Sequence, residues 1–543
     1  MKKRKYLYKA ATALLLGNLL LGTTSCESLD QTNPNELSDG SLPQSNADAE
    51  ALVNAVYASN NHQSTTLMYM IDLTTETTVS GENPNGGGGM LGLLAWDGTN
   101  SYIVRFWNIV YAAVARANDT IEKLENNPEG VSPQLASRVI GEAKFLRAYF
   151  YNYAVQLWGP VPLILSTTPE KNPVRASEHD VYQQIIEDLE DAAARLPEQS
   201  GYSTADIGRA TRGAALTALA KTYLVWAQND DELSDAERHT YFDLAAKYAQ
   251  QVIDSKEYGL EERFYDNWNN QHRNGKESIF AVQYYLGSSI NEGDNSGNNH
   301  LCHCSFSTSY SVALPHIAPG PDNTVEESYL EGDQRKDVSF ARRLWHPSTN
   351  DYFDFYFDSD GDGTLDAGFS RFNKYIDHDS PETSAADRAM NRTVLRYAEV
   401  FLILAEAINE RDHQPNQQAY DAFNQVRRRA FSEDINASAA QPHDLEAGLD
   451  YESFRNAIIQ ERSWEFVLEQ KHWLDLKRWK ILVKTIKNSP LAKDYPEYNK
   501  QTVDFRHYRF PIPQAQRDIN PNLWQNYGYD GSEIASNPYT GRE

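Results

Sequence analysis

The strongest constraint on this chain is a helical period that fills three stretches and is absent from two long ones. In the first, 103–124 and 132–157, Leu135, Val139, Ala143, Leu146, Phe150 and Tyr153 recur at steps of three and four. That spacing lays them along one face of an α-helix. The second stretch covers 178–196, 209–228 and 240–256. Tyr182, Ile185, Ile186, Leu189, Ala193 and Leu196 form one stripe there, and Leu216, Leu219, Ala220, Tyr223 and Leu224 form another. The third covers 393–410, 416–430 and 451–485. By contrast, 257–392 has short apolar patches such as Ile279–Tyr285 among many Gly, Asn, Asp and Ser, with no sustained stripe. Residues 60–101, which include Gly86–Gly89, behave the same way.

Short connections between the periodic segments predict antiparallel helix hairpins. Small faces such as Ala214, Ala215, Ala218 and Ala220 permit the close approach seen in tetratricopeptide-like arrays. The expected fold is therefore mostly α: TPR-like helix pairs form a scaffold, and long irregular loops with minor β-strands cover one face. One domain is expected over 47–543. It consists of a helical part 47–256 carrying the insertion 60–101, a loop-rich part 257–392, and a helical part 393–543. Long irregular insertions in a helical scaffold are uncommon and usually functional, so the ligand is expected on these two.

The first residues address the compartment. Lys2, Lys3, Arg4, Lys5 and Lys9 precede an apolar run from Ala10 to Gly22, and Thr23, Thr24 and Ser25 lead into Cys26. A run of that length is too short to span a bilayer core, which takes about 20 residues. The pattern is that of a lipoprotein signal, with 1–25 removed and Cys26 carrying the acyl chains. Residues 27–46, polar and rich in Ser, Asn, Asp and Pro, read as a tether. With Cys26 modified, only Cys302 and Cys304 of the 3 cysteines remain, so packing rather than a disulfide framework must hold the fold. The net charge of −26 disfavours nucleic acid as a ligand.

Four segments carry a resemblance. They are "GEAKFLRAYFYNYAVQLWGPVPL" (Gly141 to Leu163), "VLRYAEVFLILAEAINE" (Val394 to Glu410), "IIQERSWEFVLEQKHWLDLKRW" (Ile458 to Trp479) and "YRFPIPQAQRDINPNLWQNYGY" (Tyr508 to Tyr529). Together and in this order they resemble the SusD/RagB family of Bacteroidetes outer-membrane lipoproteins. Two positions depart from the family pattern: Gln470, where Gly usually follows the Glu, and Tyr527, where Pro is common. The resemblance implies a lid on a SusC-like TonB-dependent β-barrel transporter, capturing oligosaccharides or, in some members, peptides for import. It implies no catalysis. Glu27, Ser28 and Asp30 after the cysteine are similar to the family's signal for export to the cell surface. Arg147, Tyr149, Trp158, Arg396, Tyr397, Glu399, Glu461, Trp464, Trp473 and Arg478 are read as packing and capping residues rather than ligand contacts.

Local constellations add candidates. In "DSDGDGTLD", Asp358, Asp360 and Asp362 stand at positions 1, 3 and 5 of a calcium loop. Gly363 supplies the turn, and the Thr364 carbonyl and Asp366 follow at 7 and 9. Phe369 replaces the bidentate Glu at 12, which points to a weak structural Ca²⁺ site; the alternative is an acidic turn between strands. "HLCHC", from His300 to Cys304, has the wrong Cys spacing for common zinc sites; a strained disulfide or two free thiols suits it better. Acidic residues number 76, yet nothing marks Glu76, Glu82 or Asp97 as one of the two carboxylates a glycosidase needs. Gly86–Gly89 does not follow a strand into a helix with nucleotide-loop spacing. Sugars are held by aromatic faces against ring C–H groups, with amides and carboxylates on the hydroxyls. Trp96 beside Asp97 and Asn100 fits that pattern, as do Tyr69, Tyr310 and Trp345, with Asp72 and Asn83 as hydrogen-bonding partners. The expected function is capture of a glycan at the cell surface, with a peptide as the competing ligand and a surface hydrolase as the remote alternative.

Overall fold

The computed structural model describes residues 43–60, 64–78, 85–126, 128–284, 325–341, 343–346, 351–354, 356–357, 366–367, 371–375, 390–489, 500–534 and 536–539. The signal segment with Cys26, most of the tether, Glu82, Asn83, Cys302, Cys304, Tyr310, Asp358, Asp360, Asp362 and Thr364 lie outside them. Among the described residues, no helix is long and apolar enough to cross a membrane.

The helices of seven residues or more are α1 (Asn46–Ala58), α2 (Ser101–Glu125), α3 (Pro133–Trp158), α4 (Glu178–Arg195), α5 (Arg212–Asn229), α6 (Asp235–Ser255), α7 (Tyr397–Asp412), α8 (Gln417–Ala430), α9 (Tyr451–Glu465), α10 (His472–Arg478) and α11 (Leu482–Asn488). Their starts are written in short polar side chains. Ser45, Asn100, Ser132, Ser177, Thr211, Ser234, Asn416 and Asp450 each accept a first-turn amide N–H, a bond worth about 1 kcal/mol to a helix. Ser234 and Glu237 close a reciprocal capping box, so α6 begins before the apolar stripe expected from 240 onward. Helix α1 was not anticipated from its weak stripe.

From α1 to α8 consecutive helices pack on one another: α1 on α2, α2 on α3, α3 on α4, α4 on α5, α5 on α6 and α7 on α8, while α9 packs on α7. The array also continues from α6 to α7, although the 257–392 stretch separates them in sequence. Ala214, Ala215 and Ala220 are fully buried, as close helix approach requires. Strands are short and paired in twos. Ser278–Val282 runs antiparallel to Arg392–Arg396 with Arg392 opposite Val282 and Arg396 opposite Ser278, so the chain enters and leaves the loop-rich part side by side. Tyr356–Phe357 pairs with Asp366–Ala367, which makes Asp366 a strand residue beyond the acidic stretch.

The period expected over 451–485 is interrupted. Residues Phe466 to Lys471 turn between α9 and α10, with Leu468 at φ 58° and Gln470 at φ 52°. No Gly or Pro in this chain announces that break.

Candidate functional site

Both irregular segments are fastened to this one turn. From the first, the Asp72 carboxylate accepts the Gln470 backbone N–H and its side-chain amide, both at 3.2 Å. Glu76 meets His472 at 2.6 Å. From the second, the Lys374 ammonium donates to the Glu465 and Val467 carbonyls at 3.0 Å and to Glu469 at 2.9 Å. The Tyr375 O–H donates to the Leu468 carbonyl at 3.2 Å. Thr78, Tyr284, Tyr375 and Met390, four of the described residues that border the loops, are buried. The loops therefore spring from a rigid base.

Gln470 explains its own departure from the family pattern. The left-handed backbone that Gly would adopt freely costs another residue about 1–2 kcal/mol. Here the side chain offsets that cost. Its amide donates to Asp72 and to the Leu468 carbonyl, and its Oε1 accepts from Arg392.

Beneath the turn lies a buried charge network. Arg396 reaches Glu277 at 2.8 Å and Glu469 at 2.9 Å, and it also pairs with Glu465. Arg429 bonds Glu277 at 2.8 Å and Glu465. Arg335 bonds Asp333, Glu461 and Glu465 at 2.7–2.9 Å. Phe264 and Phe466 lie against the Arg396 guanidinium at 5.6 and 4.5 Å from the ring centres. Burial opposes ionisation of Glu465, but Arg429, Arg396 and Arg335 hold it well below the usual carboxylate range. Groups with fewer opposite charges around them show the reverse. Burial lifts Asp72 to about 7 despite the Gln470 bonds. Burial also brings Lys374 down to about 8 against the pull of Glu469. Lys500, fully buried, donates to the Leu73, Thr75 and Thr78 carbonyls and is lowered to about 7 by burial.

The expected sugar contacts require correction. Trp96 is 2% exposed. Its indole N–H donates to the Tyr529 hydroxyl at 2.9 Å, and its ring packs on Phe510 and His507, so no face is left for a ligand. Tyr69 is buried and stacks on Tyr102 at 4.4 Å. Asn100 is buried as the α2 cap and donates to the Gly87 carbonyl. All three sit in a segment without periodicity, and the C-terminal residues His507, Phe510 and Tyr529 fold over Trp96, a long-range contact that local sequence does not reveal. Asp97 is exposed, though its Oδ1 is taken by the Thr99 N–H and O–H at 2.7 and 2.6 Å. Trp345 lies in strand Arg343–His346. Arg147, Arg396, Glu399, Glu461 and Arg478 are buried and ion-paired, in keeping with a packing role. Reading the sequence missed Glu277, Asp333, Arg335, Lys374 and Lys500, charges outside the long helices with no spacing to mark them.

Comparison with known proteins agrees with this architecture. Residues 244–529 match the model of the SusD family, and residues 28–224 match a model described as "Starch-binding associating with outer membrane". A SusD-like protein of Formosa agariphila is 27% identical over 538 residues, covering 94% of this chain and 97% of its own length. A SusD-like protein of Bacteroides ovatus is 29% identical over 69% of this chain and 65% of its own. The crystal structure of a SusD homolog from Bacteroides thetaiotaomicron superposes with a TM-score of 0.74 at 26% identity, covering 90% of this chain and 98% of that one. A laminarin-binding SusD-like protein superposes at 0.69 with 21% identity, covering 90% and 100%. With the helical array, the turn that anchors both insertions and a family model matching more than half its length, this chain belongs to the SusD family.

Proposed function

We propose that this protein is a non-catalytic, cell-surface glycan-binding lipoprotein of the outer membrane. In this reading it is anchored through Cys26, captures oligo- or polysaccharide, and passes it to a SusC-like TonB-dependent barrel. The observation that carries the reading is the convergence of both irregular segments on the turn from Phe466 to Lys471. A rigid base under two long loops is how binding surfaces are built on scaffolds. The family description, and the laminarin-binding protein of the same fold, support a carbohydrate as the ligand. Tyr310 and Trp345, both in the loop-rich part, are the aromatic platforms of this reading, and Asp97 is an exposed polar neighbour on the other segment. Ca²⁺ held by Asp358, Asp360, Asp362, Thr364 and Asp366 would stiffen the same surface.

The test is affinity electrophoresis and calorimetry of the purified protein against a panel of soluble polysaccharides and a panel of peptides. Binding of one glycan class is expected, weakened at least tenfold in Trp345→Ala or Tyr310→Ala. Binding of peptides with no glycan bound would replace this reading with a peptide-capturing lid. Release of reducing ends that stops when one acidic residue becomes its amide would replace it with a hydrolase.

A further inference from the structure

We infer that a cavity among helices α5, α6, α7, α9 and α10 is a second ligand site, built for a neutral mono- or disaccharide. It measures about 580 Å³, within the roughly 300–1,000 Å³ of small-molecule sites. The residues that line it belong to these helices or directly follow them, and none comes from the two irregular segments. Tyr451 opens α9 at the cavity, and Glu465 closes it beside the turn that anchors those segments. The two places therefore lie about 20 Å apart along the helix.

One wall carries a polar pair that does not satisfy itself. The Glu410 side chain is 11% exposed. Tyr451 donates to its Oε2 at 2.9 Å. Its Oε1 accepts no hydrogen bond among the described residues, and Arg455 Nε stands 3.6 Å from it, too far for one. Arg455 itself donates to the Trp479 carbonyl at 3.0 Å and reaches Glu452 only at 4.0 Å. Burial and then Glu406 lift the Glu410 carboxyl to about 7, against the pull of Tyr451, Arg455 and Arg478. A hydroxyl set between Oε1 and Nε would donate to the first and accept from the second. A sugar also needs an aromatic face to lie against. Half-buried Tyr451 supplies one, braced by the His413 ring at 5.2 Å between centres. Buried Phe242 and Trp479 line the same cavity.

The surrounding charges select the ligand class. Arg411 is taken by Asp243 and Asp412 at 2.8 Å, and Lys480 by Asp231 at 2.7 Å. Little positive charge is left for an anion, and Glu410 would repel one. Arg411, Arg455 and Lys480 in turn oppose a metal cation. A purely apolar guest would leave Oε1 unbonded in the wall. What suits the cavity is an uncharged ligand rich in hydroxyls. The inference stands whether or not the irregular segments bind glycan.

The test is calorimetric titration of the full chain and of its Tyr310→Ala/Trp345→Ala double variant. The probes are methyl glucoside, methyl galactoside, maltose, cellobiose and laminaribiose, with glucuronate as the anion. At least one neutral sugar is expected to bind the double variant. That binding should weaken at least tenfold when Glu410→Gln or His239→Trp is added. Glu410→Gln keeps an acceptor for Tyr451 but turns an N–H toward Arg455. His239 lines the cavity and is exposed, so an indole there fills the space without entering the core, and its Tm should match that of the double variant. The inference is overturned if no neutral sugar binds the double variant up to on the order of 10 mM. It is also overturned if binding survives both added substitutions, or if glucuronate alone binds. Sugar binding that the parent shows and the double variant lacks would overturn it too, while leaving the glycan reading of the irregular segments in place.

Discussion

The first half of the molecule and the turn near the end of the second hold their neighbours by opposite means. Between α2 and α6, helix faces meet through Phe106, Leu146, Phe150, Trp158, Tyr182 and Leu219, each no more than 3% exposed. Around Phe466 to Lys471 the equivalent work is done by Arg335, Lys374, Arg396 and Arg429 against Glu277, Asp333, Glu461, Glu465 and Glu469, which are just as buried. Apolar burial is strong but has no direction. It suffices where two periodic stripes face each other. A segment without a stripe has no face to offer, and single charged side chains must fix both its position and its orientation. The difference teaches that the charged half is where irregular, ligand-facing chain is tied to regular scaffold.

Two substitutions break the comparison most forcefully. Arg396→Met should cost about 3–5 kcal/mol, because Glu277, Glu465 and Glu469 are left buried with too few partners. Leu146→Ala should cost about 2–5 kcal/mol through a cavity. The two losses differ in kind. With Arg396 gone, the abandoned carboxylates protonate more readily than in the unfolded chain, so the defect should be smaller at pH 5 than at pH 8. The Leu146→Ala defect should be the same at both. Urea unfolding of each variant at the two pH values measures this, and a pH-independent Arg396→Met defect would show that the network holds by shape rather than by charge.

The same contrast decided what could be read from the sequence. Helices α2 to α8 announced themselves because an apolar stripe repeats every three to four residues and, in all but α7, a capping side chain stands before it. The scaffold and its family were therefore legible. The site was legible only as territory. The two irregular segments do converge, but Trp96 is buried by His507, Phe510 and Tyr529, hundreds of positions away, and Tyr69 and Asn100 are turned inward onto Tyr102 and Gly87. The break after Glu465 hides behind Gln470, which takes the backbone conformation of a glycine without being one. Lys374 and Lys500 act alone, and a lone lysine in a loop carries no signal of burial.

Gln470→Gly sharpens the point at smaller scale. Glycine removes about 1–2 kcal/mol of left-handed strain but also strips the side-chain bonds to Asp72, Leu468 and Arg392. Leaving buried Asp72 and Arg392 underbonded costs about 1–3 kcal/mol. A net loss of about 1 kcal/mol is expected, seen as a lower urea midpoint at unchanged m-value. A gain would mean that the strain outweighs the network.

The smallest effect tests the edge of the charged region, where Glu76 and His472 pair at 2.6 Å. Burial works against both charges, yet His472 pulls Glu76 below its ordinary value of 4.5, and Glu76 raises His472 above its ordinary 6.5. Asp72 and Asp475 also face the imidazole, and Lys500 faces Glu76. A lowered carboxylate stabilises above its unfolded value and loses that contribution as pH falls through its folded one. A raised imidazole stabilises below its unfolded value and loses that as pH rises through its folded one. The pair therefore contributes most between about pH 4.5 and 6.5. Glu76→Gln should cost on the order of 1 kcal/mol in that window and progressively less toward pH 9. Buried Asp72 pulls the other way between about pH 4 and 7, so the comparison must be variant against parent at each pH, not one curve alone. A difference that stays the same from pH 5 to pH 9 would mean that the Glu76 side chain is held by its shape and not by its charge pair with His472.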